Sequence, residues 1–177
     1  MTDEIRVLKQ GKYLALMSWN TWEYVKRLNV SGITIILAVT RDGKIVLVEQ
    51  FRAPLRKKTI ELPAGLVGDV AGQEHEDIRT ASERELLEET GYRSNEMAYL
   101  TEGPPSPGCN AEHVTFFHAK GLEKVADGGG DAGESITVHE VPLDTVHSWL
   151  EEKQREGIAV DPKIFIGLYF ADRAESW

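Results

Sequence analysis

The chain has 177 residues, 41% of them hydrophobic and 28% charged, which suits one soluble domain with a real core. Its net charge of −9, from 20 basic and 29 acidic side chains, disfavours sustained binding to nucleic acid or an anionic membrane, since both need basic patches. A single cysteine, Cys109, excludes an internal disulfide and fits a reducing compartment. No apolar run nears the ~20 residues that span a bilayer, and MTDEIRVLKQGK lacks the apolar core of a signal peptide. A cytoplasmic protein with no nucleic-acid and no membrane partner is expected.

Along the chain, Tyr13–Ser18 and Thr21–Leu28 alternate with a period near two and predict a hairpin turning at Trp19-Asn20. A lone two-stranded ribbon is marginal in water, so this one must pack on the main domain or on a second copy of the chain. GITIILAVT reads as a buried strand, Arg41-Asp42-Gly43 as a turn, and KIVLVEQF as the returning strand. Thr59–Leu62 predicts a short strand, and GLVGDVAGQEHE a glycine-rich loop. Met97–Glu102, VTFFHAKGL and SITVHEVPL read as further strands, separated by the proline-rich loop GPPSPGCNAEH and by DGGGDAG, a mobile connection. Leu143–Glu156 is an amphipathic helix, and Asp161-Pro162 opens a last one. Strands on both sides of a central helix indicate the α+β class with a mixed sheet.

That central helix runs through EDIRTASERELLEETGY, from Glu76 to Tyr92, with Asp77 as N-cap and Gly91 as its left-handed stop. Glu85, Glu88 and Glu89 fall at i, i+3 and i+4, so their carboxylates share one face. Like charges at that spacing cost roughly 0.2–0.5 kcal/mol per pair, and the macrodipole disfavours anions in a last turn. Alone, three glutamates read as a solvated acidic face. A hard divalent cation with oxygen ligands would turn the repulsion into attraction.

Arg84-Glu85-Leu86-Leu87-Glu88-Glu89-Thr90-Gly91-Tyr92, with Glu76 eight positions before Arg84, resembles the Nudix box. One departure is that the position six before Glu76, where the box has a glycine, holds Val70; Gly65 in the LPAG turn resembles the box's glycine, with about five extra residues before Glu76. The resemblance implies a Nudix α/β/α sandwich with a mixed β-sheet and an N-terminal β-ribbon, divided as residues 1–30 and 31–177. It implies hydrolysis of a nucleoside diphosphate derivative with Mg²⁺ or Mn²⁺. Under it, Glu85, Glu88, Glu89 and the Ala64 carbonyl are metal ligands, and Arg84 pairs with Glu76 to orient the ligand face.

VEQFR at 48–52, ELPAG at 61–65, and Ser106-Pro107-Gly108 followed by Glu112 resemble the ADP-ribose and nucleoside diphosphate sugar pyrophosphatases, in which a proline follows the box by about fifteen residues, as Pro107 does here. This implies a small-molecule sugar nucleotide as substrate. Arg52 becomes a candidate for its phosphates, Glu61 an acceptor near the substrate or a dimer contact, and Glu112 the base, with Glu89 and Glu134 as rivals. It also implies a homodimer in which an aromatic residue of the ribbon, Trp22 or else Tyr24, stacks on the nucleobase. Other diphosphate substrates, such as a dinucleoside polyphosphate or an oxidised nucleotide, and a catalytically silent nucleotide sensor are the competing readings.

Overall fold

The computed structural model describes residues 4–69, 72, 74–130, 133 and 135–174. Strands β1 (Ile5–Gln10), β2 (Leu14–Trp19) and β3 (Trp22–Arg27) form an antiparallel sheet of their own. The expected hairpin is there, turning through Asn20, which adopts φ 54°. The sequence reading missed β1. A register shift between Val7 and Lys9 breaks its alternation, and all six of its residues are exposed, so no apolar period announces it.

The remaining strands are β4 (Gly32–Ala38), β5 (Lys44–Arg52), β6 (Lys57–Glu61), β7 (Ala64–Val67), β8 (Tyr92–Arg93), β9 (Glu96–Gly103), β10 (Val114–Lys120), β11 (Glu123–Lys124), β12 (Thr137–Pro142) and β13 (Ala159–Val160). The helices are α1 (Ile78–Thr90), α2 (Val146–Arg155) and α3 (Lys163–Ala171). One four-stranded sheet has the order β7-β4-β10-β9 and another β12-β5-β6-β13. They meet at the Val39–Ile45 bridge. The β4–β10 and β6–β13 pairs are parallel and the others antiparallel, so the expected mixed sheet is observed.

Side-chain alternation builds the layers. Ile35 and Leu37 of β4 and Val39 just after it join Val146 and Leu150 of α2 and Ile164 and Leu168 of α3 in one core. Ile36 and Ala38 face the other way, into a second core with Leu86 of α1 and Phe117 of β10. The helices thus cover opposite faces of the strands. Next to those β4 residues, Thr34 hydrogen-bonds Ser82 of α1 at 2.6 Å, fixing the helix's height along the strand.

The segment after Pro63 differs from the expected loop. Ala64–Val67 pairs antiparallel with β4, and only beyond Val67 does the chain leave the sheet. Four residues are too few for a period of two to show. This edge strand brings Gly65 against α1.

Candidate active site

The Asp77 side chain accepts a hydrogen bond from the Arg79 amide, and Gly91 ends α1 with φ 74°, its amide donating to the Leu87 carbonyl. Leu86 is buried in the second core, and Glu85 and Glu89 on the adjoining flank of the helix face β7. Glu89 is itself buried and accepts a hydrogen bond from the Ala64 amide at 3.0 Å. Gly65 lies so close to the helix that a Cβ there would sit 1.9 Å from the Glu85 carboxyl carbon. Only glycine fits.

Arg84 ties the face together. Its guanidinium donates to both Glu76 oxygens at 3.2 and 3.1 Å, and its Nη1 reaches Glu85 at 2.8 Å and Glu88 at 3.1 Å. Nη2 also donates to the Leu66 carbonyl at 3.3 Å. Burial opposes its charge, yet the surrounding carboxylates hold the Arg84 pKa above its ordinary value. Glu85 moves upward, to about 7. Burial is the main cause; Arg84 pulls the other way, and Glu88 and Asp69 add to the rise. Crowding of the glutamates is therefore the smaller cause, and desolvation under β7 the larger.

A cavity of about 540 Å³ opens in front of these groups, lined by Ala64, Gly65, Glu85 and Glu89 on the helix side. Arg52, Glu61 and Glu112 line it too. Arg52 grips Glu61 with two parallel bonds of 2.7 Å, from Nε and Nη2, the fork geometry in which guanidinium binds a carboxylate. Glu61 thus orients Arg52. Glu112 forms an ion pair of 2.6 Å with Arg27.

Of the residues expected at the site, Arg52, Glu61, Ala64, Glu85, Glu89 and Glu112 meet in this cavity. Arg84 and Glu88 flank it, with Glu88 the more exposed. Trp22 lies elsewhere in its own chain. It shares a shallow cleft of about 230 Å³ with Trp19, Tyr24 and the Pro107-Gly108 turn. Val70 and Glu134 lie outside the described residues.

Arg27 and Lys163 also line the cavity, and sequence reasoning missed both. Arg27 belongs to β3, which docks on the Glu112 loop through Val25: its amide donates to the Cys109 carbonyl at 2.8 Å and its carbonyl accepts from the Ala111 amide at 3.2 Å. No local pattern marks such a long-range dock. Lys163 follows the Asp161-Pro162 helix start, which was legible, but its direction was not.

The donor set suits a hard divalent ion, because carboxylates and backbone carbonyls are oxygen ligands. Among the described residues no group of three or more His, Cys, Asp or Glu side chains encloses a metal unaided. Mg²⁺ commonly takes one or two carboxylates and completes its shell with water and substrate phosphate, so Glu85, packed over Gly65, and Glu89, both lining the cavity, suit it.

The NUDIX domain family model matches residues 29–160. The methanol dehydrogenase activator of Bacillus methanolicus is 38% identical over 124 residues, which cover 70% of this chain and 64% of that protein. The ADP-ribose pyrophosphatase of Bacillus subtilis (strain 168) is 35% identical over 124 residues, with the same coverage. The GDP-mannose pyrophosphatase of Yersinia pestis (strain Pestoides F) is 34% identical over 121 residues, 64% of this chain and 58% of that one. The match thus spans less than two thirds of these curated relatives. A crystal structure of an ADP compounds hydrolase superposes with a TM-score of 0.72 at 17% identity, over 96% of this chain and 90% of that one, which is a shared fold. A family model that covers most of the sequence, including the carboxylate helix and the glycine packed against it, places the chain in the Nudix family.

Proposed function

We propose that the protein hydrolyses the diphosphate bond of ADP-ribose or another nucleoside diphosphate sugar, with Mg²⁺ or Mn²⁺, giving a nucleoside monophosphate and a sugar phosphate. One observation carries the reading: a single cavity has the carboxylates Glu85 and Glu89 on one side, and Arg27, Arg52, Lys163 and Glu112 around the rest. The activities for which the Bacillus subtilis and Yersinia pestis relatives are named, on ADP-ribose and GDP-mannose, share a sugar nucleotide diphosphate and support it.

Glu85, Glu89, Glu88 and the Ala64 carbonyl would hold the ion, which when bound neutralises phosphate charge and acidifies a water. The chain's own groups do the rest. Arg52, kept in line by Glu61, offers its outer edge to phosphate oxygens. Arg84, through its bonds to Glu85 and Glu88, orients the ligand carboxylates. Glu112, steadied by Arg27, takes a proton from the attacking water. The water oxygen bonds to one phosphorus, the bridging P–O bond breaks, and the departing phosphate keeps the electron pair.

The proposal extends to a homodimer in a reducing, cytoplasmic setting. The sheet β1-β2-β3 exposes Ile5, Val7, Trp19 and Trp22 on one face and Leu14 and Leu16 on the other, apolar area that a contact between copies would cover. A partner's cavity would receive Trp22 for base stacking, with residues 1–30 as the contact module and 31–177 as the hydrolase.

The test is release of AMP from ADP-ribose, with GDP-mannose, a dinucleoside polyphosphate and an oxidised nucleotide as comparison substrates. Activity should require Mg²⁺ and fall by at least about a hundredfold in Glu89→Gln. Full activity in that variant removes α1 from the chemistry, and tight ADP-ribose binding without turnover would identify a nucleotide sensor instead.

A further inference from the structure

The last turn of α1 contains no basic residue, although it carries Glu88 and Glu89 at the negative end of the helix dipole. A helix also leaves its last carbonyls without intrahelical partners. Here the segment from Lys124 to Gly130 supplies the missing donors. Lys124 Nζ donates to the Thr90 carbonyl at 2.9 Å. The Val125 and Ala126 amides donate to the Gly91 carbonyl at 2.9 and 3.1 Å. The Gly129 amide donates to the Glu89 carbonyl at 2.9 Å, and the Gly130 amide to the Glu88 carbonyl at 3.0 Å.

The backbones fit closely. A Cβ on Gly91 would lie 2.0 Å from the Ala126 carbonyl oxygen, and one on Gly128 would lie 2.5 Å from the Thr90 carbonyl carbon. Gly128, Gly129 and Gly130 all take positive φ, at 76°, 114° and 84°, where other residues are strained. The glycine run that reads as a mobile connection is, over these residues, bonded to the helix end. Lys124 is held in turn, its ammonium 4.5 Å from the centre of the Tyr92 ring and 3.8 Å from Glu140; Tyr92 donates its hydroxyl to Glu140 at 2.6 Å.

We propose that Lys124 and the amides of Val125, Ala126, Gly129 and Gly130 form a positioning clamp on the carboxylate end of α1. Bonds to the Glu88 and Glu89 carbonyls set where those residues' side chains start, and the Lys124 ammonium offsets the helix-end charge. The part of the proposal that concerns metal and turnover rests on the function proposed above. The clamp itself does not.

Full-length Lys124→Met and Lys124→Arg proteins test it. In metal-free Lys124→Met, exchange of the Gly129 and Gly130 amide hydrogens, followed by NMR, should quicken by about tenfold. Mg²⁺ binding, followed by calorimetry, should weaken by about tenfold. The fall in turnover should appear in kcat, with KM for ADP-ribose within about twofold. Lys124→Arg, which keeps the charge and the donor, should restore all three. Gly129→Ala, where a Cβ would make only an ordinary contact, 3.9 Å from the Ile136 carbonyl oxygen, but would take an unfavourable φ, is the second variant should Lys124→Met not fold, and should quicken the same amides. Unchanged exchange in Lys124→Met and Gly129→Ala overturns the clamp. Tighter Mg²⁺ binding in Lys124→Met also overturns it, because the ammonium would then act only as a competing charge. A wild type that binds no Mg²⁺ defeats the proposed function, and amide exchange alone then decides whether the clamp stands.

Discussion

At the scale of single residues, Glu85 is the most telling group. Burial lifts its pKa from 4.5 to about 7, so the metal-free fold favours the neutral acid. The sign follows: its contribution is most favourable below pH 4.5 and is lost as pH rises towards 7, by roughly 2–3 kcal/mol. Urea titrations of metal-free wild type and Glu85→Gln should match near pH 4.5 and diverge up to pH 8, with the glutamine protein the more stable. Parallel pH profiles would contradict this. Residue types at the site were well marked in the sequence. Arg84, Glu85, Glu88 and Glu89 stand in a fixed helical register, and Gly65 could be named before the cause, a collision with Glu85, was visible. Arg27 was not legible, because its place depends on β3 docking to a loop more than eighty residues further along.

At the scale of elements, α1 was legible because period, cap and stop agree in one stretch. Asp77→Ala removes the acceptor for the Arg79 amide and should cost about 1 kcal/mol, read from urea unfolding, with little change in kcat. No loss of stability would mean that another group caps the helix. The strands facing core on both sides, β4 and β5, were equally plain as apolar runs. β7, β8, β11 and β13 were not, since two to four residues carry too little pattern. They exist because neighbouring strands supply their partners. The glycine run of 128–130 misled for a related reason: glycine signals freedom locally, while here it permits close approach to α1.

At the scale of the whole molecule, the layered core positions the chemistry and the N-terminal sheet remains to be covered. Ile5 at 59% exposure and Trp22 at 60% are expected to lie in a contact between copies. Sedimentation should give a dimer, and Trp22→Ala, which leaves Arg27 in place, should raise KM; a monomeric wild type would remove the proposed partner contact. The proposed chemistry needs something narrower, a divalent cation that completes the desolvated carboxylates at the end of α1. Titrating Mg²⁺ into the protein at pH 8 in a calorimeter tests this most directly. Saturable binding is expected, weakened at least about tenfold in Glu85→Gln and Glu89→Gln, with a matching rise in wild-type melting temperature. Absence of both heat and a melting shift in the wild type would contradict the account.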